Sequence, residues 1–305
     1  MKKFVGILSV FMLMIAGCAP SLEPTPPKDL DADFSTVLAA LGTEDALAAM
    51  QAFDEKYGTT LAQEYVNQQP TQSRFGGGSS YPPLTTMPFN RDGAVYLSGG
   101  TDGVVSSVIS WVAPKNFPGG YYHGAVLDID KFDPNNLSAP ALESAVAKGA
   151  GWESAQDWMQ KVNATVLVPT FSINQQKLDI AQQATAYYCD LPGEQQKYGF
   201  FKNYVDIFNV VTKEDTYWWY CTKVVWHMYK NYGIDIDSND TRVDFTTSGL
   251  YSLVKAYYNV RYFFNSSKVN AAVNAYINDT RGKIVMAEEI MLSPYLTKVF
   301  EAIRE

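Results

Sequence analysis

Residues 217–233 read Tyr217-Trp218-Trp219-Tyr220-Cys221-Thr222-Lys223-Val224-Val225-Trp226-His227-Met228-Tyr229-Lys230-Asn231-Tyr232-Gly233. The stretch from Tyr217 to Tyr232 is strongly apolar and helical in pattern, and Gly233 stops it. Val224, Val225 and Met228 form its inward stripe, and Cys221 falls near its start. A cysteine nucleophile needs an electropositive position, and a helix start supplies one through the dipole, aided by any nearby imidazolium. Cys189, the other downstream cysteine, ends the helix predicted over residues 173–188, where the dipole has the opposite sign. Cys221 is therefore the candidate nucleophile.

Scarcity makes the search for its partners short. The chain holds two histidines and three cysteines in 305 residues. No zinc-ligand spacing, Gly-x-Ser-x-Gly elbow or dinucleotide fingerprint occurs. Gly76-Gly77-Gly78 is followed by Ser-Ser-Tyr-Pro-Pro, which is not a phosphate loop. His227 lies six residues beyond Cys221, about 240° around the helix at about 100° per residue, and so faces away from the thiol. His123 opens a strand predicted over residues 122–129 and can be brought to Cys221 from a separate element. For the group that orients the imidazole, Asp128 and Asp130 fall on the wrong strand face by odd spacing. Glu143, a lone carboxylate in Ala141-Leu142-Glu143-Ser144-Ala145 on the next strand, is the candidate. Blander readings stand beside each of these: a core cysteine, a Cys189–Cys221 disulfide, a structural histidine, a solvated edge glutamate.

The N-terminus reads as an address. Met1-Lys2-Lys3 is a basic start, and Phe4–Ala16 is an apolar run too short to span a bilayer comfortably. It ends in Ile15-Ala16-Gly17-Cys18, which resembles a bacterial lipobox whose cysteine takes the lipid. Ala19–Lys28 is proline-rich and suited to a stiff tether. Residues 1–17 are thus expected to be a signal peptide, Cys18 the lipidated residue, and 18–32 the tether. The destination is the bacterial cell envelope, on the outer membrane if the source is Gram-negative. The net charge of −8 argues against nucleic acid as main partner. The content of 47% hydrophobic residues is ample for a core, and the count of 20 Tyr and 6 Trp suits a large core or a sugar- or peptide-contacting surface.

Between these two ends, residues 33–69 are expected to form two short helices and 69–90 a loop, together an N-terminal extension over 33–90. The main body, 91–305, begins with a strand over 94–97. Further strands are predicted at 122–129, 141–146 and 165–171, with helices at 154–161 and 173–188. Residues 245–305 read as helical stretches and turns.

The order His123, Glu143, Cys221 resembles the circularly permuted papain-like hydrolases, the YiiX-like branch of the NlpC-type superfamily. That family's Tyr-Cys-Ser-x-Leu-Val-Trp segment is matched by Tyr220-Cys221-Thr222-Lys223-Val224-Val225-Trp226, and its Gly-Ile-Asp-Leu by Gly233-Ile234-Asp235-Ile236. Its Ser-His-x-Gly/Ala strand is matched by Tyr122-His123-Gly124-Ala125-Val126-Leu127. Its Val-Ile-Glu-Ala strand is matched by Ala141-Leu142-Glu143-Ser144-Ala145, with Gly149 or Gly151 following. A C-terminal Val-x-Pro-x-Asp-Ile-x-x-Ser pattern survives as Val285–Ser293. The likeness spans about Asp92 to Val299. Gly93-Ala94-Val95 departs from the family's Gly-Asp-Ile, and Thr222 replaces a serine.

The resemblance implies an α+β, permuted papain-like fold, with a small antiparallel sheet or open barrel packed on the Cys221 helix. It implies an amide-cleaving cysteine hydrolase with no metal or organic cofactor, acting on peptidoglycan peptides in the envelope. In that scheme Cys221 attacks, His123 shuttles the proton and Glu143 orients the imidazole. Lipid acyl hydrolysis or transfer, and a non-catalytic binding role on the same fold, are the alternatives.

Overall fold

Val95-Tyr96-Leu97-Ser98-Gly99 is buried along its whole length, which marks a strand covered on both faces. In the computed structural model the described residues are 25–68, 81–100, 104–146, 149–192, 196–202, 207–239 and 242–303. Cys18 and the apolar leader lie outside them, as do the three glycines at 76–78. The chain opens with α1 (Leu30–Ala40), α2 (Ala46–Tyr57) and α3 (Leu61–Gln68), followed by β1 (Val95–Gly99), α4 (Val104–Val112), β2 (Tyr121–Leu127), β3 (Pro140–Val146) and β4 (Gly149–Ser154). Next come α5 (Ala155–Met159), β5 (Asn163–Pro169), α6 (Gln175–Cys189), β6 (Lys197–Tyr198), β7 (Trp218–Trp219) and α7 (Cys221–Tyr232). The last elements are α8 (Gly249–Arg261), α9 (Ser266–Lys283), α10 (Ala287–Met291) and β8 (Leu296–Ile303).

Six strands form one antiparallel sheet in the order β4-β3-β2-β1-β5-β8, and β6 pairs with β7 separately. The protein is α+β, with ten α-helices among the described residues. One sheet face carries Val95, Leu97 and Val126 into the larger core, where Val225, Met228 and Tyr229 of α7 and Leu178 and Ala181 of α6 meet them. The other face carries Tyr96, Ala125, Leu127 and Leu142 into a smaller core closed by Trp158 of α5 and by Leu84, Met87 and Phe89. Among the described residues no helix is long and apolar enough to cross a membrane.

Several expectations need correction. Residues 30–68 form three helices, not two, and they pack against α8 through contacts such as Phe34–Tyr257. Tyr217–Tyr220 is extended rather than helical, because Tyr220 has β-region dihedrals and serves as the N-cap of α7. Gly149–Ser154, a run whose glycines hide its strand character, is β4. Leu296–Ile303 is a strand, not part of a helical tail. Its buried Leu296, Phe300 and Ile303 are spaced i, i+4 and i+7, which mimics an amphipathic helix. Pairing with β5 along Asn163–Pro169 decides the matter in favour of the strand.

Candidate active site

Cys221 is the first residue of α7, and Tyr220 before it makes no side-chain cap. The N–H groups of the first helical turn have no intrahelical acceptors, so the helix start presents donors beside the sulfur. At the other end Gly233 (φ 98°) closes the helix in the left-handed conformation. Lys223 is buried and holds the preceding segment in place. Its ammonium donates to the carbonyls of Thr212, Asp215 and Trp218, and burial lowers its pKa to about 8.

His123 arrives from β2. Ser98 pairs with His123 but Gly99 pairs with Tyr121, so Tyr122 is an extra residue in the ladder. Such bulges re-aim neighbouring groups. Here the carbonyl of Tyr122 turns to Cys221, whose Sγ donates to it over 3.5 Å. Gly124 lets α7 lie close to β2, since a methyl group there would stand 3.3 Å from Val225 and 3.4 Å from Thr222. The His123 ring stacks on Trp158 at 5.5 Å and 15° between planes.

The carboxylate that meets the imidazole is Glu153. Its Oε2 lies 2.7 Å from His123 Nε2, and its Oε1 accepts from Lys161 Nζ at 3.0 Å. Burial alone would neutralise His123, but the Glu153 charge and the Cys221 sulfur outweigh it and push the imidazole up to about 10. Burial likewise acts against the Glu153 anion, yet His123 and Lys161 hold the carboxyl at about 2. Cys221 stands close enough to act on the ring electrostatically, while its Sγ donates to the Tyr122 carbonyl. With Nε2 occupied by Glu153, Nδ1 is the nitrogen left for the thiol. Cys221, His123 and Glu153 thus form one connected chain of groups.

Glu143 does not take the place expected of it. Val126 pairs with Glu143, whereas Leu142 pairs with Leu127 on one side and Glu153 on the other. Because side chains alternate along a strand, Glu153 shares the sheet face of His123 while Glu143 faces the α6 and α7 layer. Glu143 is fully buried, neither carboxylate oxygen meets a hydrogen-bond partner in good geometry among the described residues, and burial raises its pKa to about 8. Cys189 is its neighbour there, packed against Trp219 and Val224. Glu153 was legible only indirectly. Ser154 and Asp157 form a capping box that starts α5 directly after β4, one residue beyond Glu153.

The remaining candidates resolve simply. Cys189 and Cys221 are both free thiols. His227 Nδ1 faces Thr185 at 3.2 Å and Asn231 at 3.1 Å, with its ring among Tyr188 and Trp219, and burial lowers its pKa to about 4. Among the described residues no group of three or more His, Cys, Asp or Glu side chains could hold a metal ion.

No family model matches the chain, and no curated protein matches it. Among solved structures, the crystal structure of metalloprotein yiiX from Escherichia coli O157:H7 is similar over 71% of this chain and 99% of that one, at 16% identity and a TM-score of 0.40.

Proposed function

We propose that the chain is an exported, lipid-anchored cysteine hydrolase of the circularly permuted papain-like kind, cleaving amide bonds in cell-wall peptides. One observation carries this reading: a free cysteine at a helix start, a histidine on a facing strand and a carboxylate 2.7 Å behind that histidine. The order of attacking, shuttling and orienting groups is the logic of an activated nucleophile.

The sulfur attacks the carbonyl carbon and the amide oxygen takes up the negative charge. The backbone N–H of Cys221 and its neighbours at the helix start donate to that oxygen. His123 holds the thiol's proton as the imidazolium and delivers it to the leaving nitrogen, so that an amine departs and a thioester stays on Cys221. Water, deprotonated by His123, then releases the acid and restores the thiol. Glu153 fixes the ring and balances its positive charge throughout, and Lys161 keeps Glu153 ionised. Cys221 is only 2% exposed, so little bulk water surrounds the sulfur.

A second reading is favoured by one feature. An apolar cavity of about 300 Å³ lies among Leu38, Val112, Phe200, Ile207, Leu250 and Met286. Phe200 stacks on Tyr220, and Met286 follows Val285, whose carbonyl accepts from Thr222. The cavity therefore adjoins the first turn of α7 and would suit an acyl chain, making the substrate a lipid ester or amide.

Incubating the protein in parallel with a peptidoglycan digest and with phospholipid, and reading products by mass spectrometry, separates the two. New free amines from stem peptides support the first reading, and released fatty acid supports the second. Identical products from Cys221→Ala would overturn both.

A further inference from the structure

We propose that the turn between α8 and α9 is a membrane-contacting tip that seats the folded body on the lipid surface to which the chain is tethered. The proposal rests on the reading of Cys18 as the lipidated residue.

Tyr262-Phe263-Phe264-Asn265 closes α8 and opens α9. Phe263 and Phe264 both have left-handed backbone dihedrals, φ 51° and 59°. That region is unfavourable for bulky side chains, and two consecutive phenylalanines within it are unusual. Backbone bonds hold them there: Phe264 N–H donates to Asn259 at 2.7 Å and Phe263 N–H to Val260 at 3.2 Å. The conformation does not hide the rings, which are 48% and 50% exposed. A strained turn that displays two apolar rings to water has a cost with no return inside the molecule.

The surroundings are those of an interfacial surface. Tyr258 and Tyr262 stack on each other at 5.7 Å beside the turn, and the half-exposed Phe208 packs against Tyr258 and Tyr257. Aromatic rings with one polar end favour the boundary between headgroups and acyl chains. Lys268 and Arg261 flank the pair and match anionic headgroups.

The tether says what covers the patch. The folded body begins where Asp31 accepts from the Tyr257 hydroxyl at 2.9 Å, and Phe34 packs on the same ring at 5.2 Å. Tyr257 precedes Phe263 by six residues, about 9 Å along a helix. The chain from Cys18 to Asp31 reaches at most about 45 Å even when fully extended. The aromatic tip therefore stands on the end of the body where the lipid anchor enters. A weak apolar contact at this end gains from the high local lipid concentration that tethering provides. Its effect is to restrict the body to one orientation on the membrane.

The test uses the whole chain purified from expressing bacteria and incubated with phosphatidylethanolamine–phosphatidylglycerol vesicles. The photo-crosslinking residue p-benzoylphenylalanine is placed at position 264, and separately at position 180, where the exposed Ile180 of α6 serves as control. After irradiation, lipid adducts are expected at 264 and not at 180. Vesicle-bound protein without preferential adducts at 264 overturns the tip. Detergent partitioning of the same preparation reads the anchor separately. If no lipid is present at Cys18 but adducts still form at 264, the anchor reading fails and the tip stands. If the protein neither carries lipid nor binds vesicles, both fall. In any unlipidated preparation that binds, Phe263→Ser/Phe264→Ser should weaken vesicle partitioning by about tenfold or more. An unchanged partition constant in a variant that melts like wild type would also overturn the tip.

Discussion

His123 and Glu153 stand on different strands, β2 and β4, separated by the whole width of β3, yet Nε2 and Oε2 are 2.7 Å apart. They meet because both side chains emerge on one face of the sheet. The residue opposite Glu153 on β3 is Leu142.

This relationship distinguishes two glutamates experimentally. Glu153→Gln should slow iodoacetamide labelling of Cys221 at neutral pH, because the imidazolium loses its counter-charge. Glu143→Gln should leave the rate near wild type. Peptide mapping of the alkylated residue reads both, and equal effects from the two variants would remove Glu153 from the role assigned here.

The nucleophile should depend on the imidazole. His123→Ala is expected to lower the Cys221 alkylation rate at pH 7 on the order of 10²-fold. His227→Ala should not, since that ring bonds Thr185 and Asn231 on the far side of α7. Against any substrate that is turned over, Cys221→Ala, His123→Ala and the double variant should lose nearly the same activity, as members of one unit do.

The two histidines should titrate at opposite ends of the pH scale. His123 is raised to about 10 and His227 lowered to about 4. A raised histidine contributes stability that is complete below its ordinary value of 6.5 and is lost as pH climbs through about 10. Glu153, lowered to about 2, contributes above 4.5 and loses its contribution as pH falls through 2. Nitrogen-resolved NMR of the imidazoles at pH 6–8 should show one charged and one neutral ring. Two neutral rings in that range would contradict the ion pair.

Glu143 should act on stability, with the opposite slope. Its pKa is about 8 in the folded chain against an ordinary 4.5, so the native state keeps a proton that the unfolded state has lost. Stability therefore falls as pH rises from about 4.5 to 8, by an amount on the order of 5 kcal/mol. Glu143→Gln should remove that part of the slope, and urea melts at pH 5 and pH 8.5 for both proteins measure it. Glu288 and Glu289, buried and raised to about 7 and 8, keep a residual slope in both.

Gly124 should matter through distance alone. A methyl group there meets Leu97 at 3.2 Å and Val225 at 3.3 Å, forcing α7 and β2 apart by a few tenths of an ångström. Gly124→Ala is expected to slow Cys221 alkylation several-fold while lowering stability by about 1 kcal/mol, in the range of a mild overpacking. A variant that melts lower but alkylates at the wild-type rate would show that the helix spacing does not set the geometry of the site.

Local chemistry determined the parts of this protein that are written within a few residues. The apolar stripe and terminal Gly233 define α7 and place Cys221 near its start, and the extended Tyr220 before it makes Cys221 the first helical residue. Two histidines leave little choice, and the 240° offset disqualifies His227 without any knowledge of the fold. The strand of His123 was legible as a short run following the turn Phe117-Pro118-Gly119-Gly120. The carboxylate was not. Choosing between Glu143 and Glu153 depends on the register of β2, β3 and β4, and a shift of one residue carries a side chain to the opposite face. No local signal encodes that register, and the glycines of β4 conceal the strand itself. In the same way Leu296, Phe300 and Ile303 fit a helix as well as a strand until β5 pairs with them. The sequence narrows the candidate groups to a few, because residue type and helix position are local properties. The tertiary structure alone settles which of them meet, because long-range strand pairing is decided by the packing of the entire sheet.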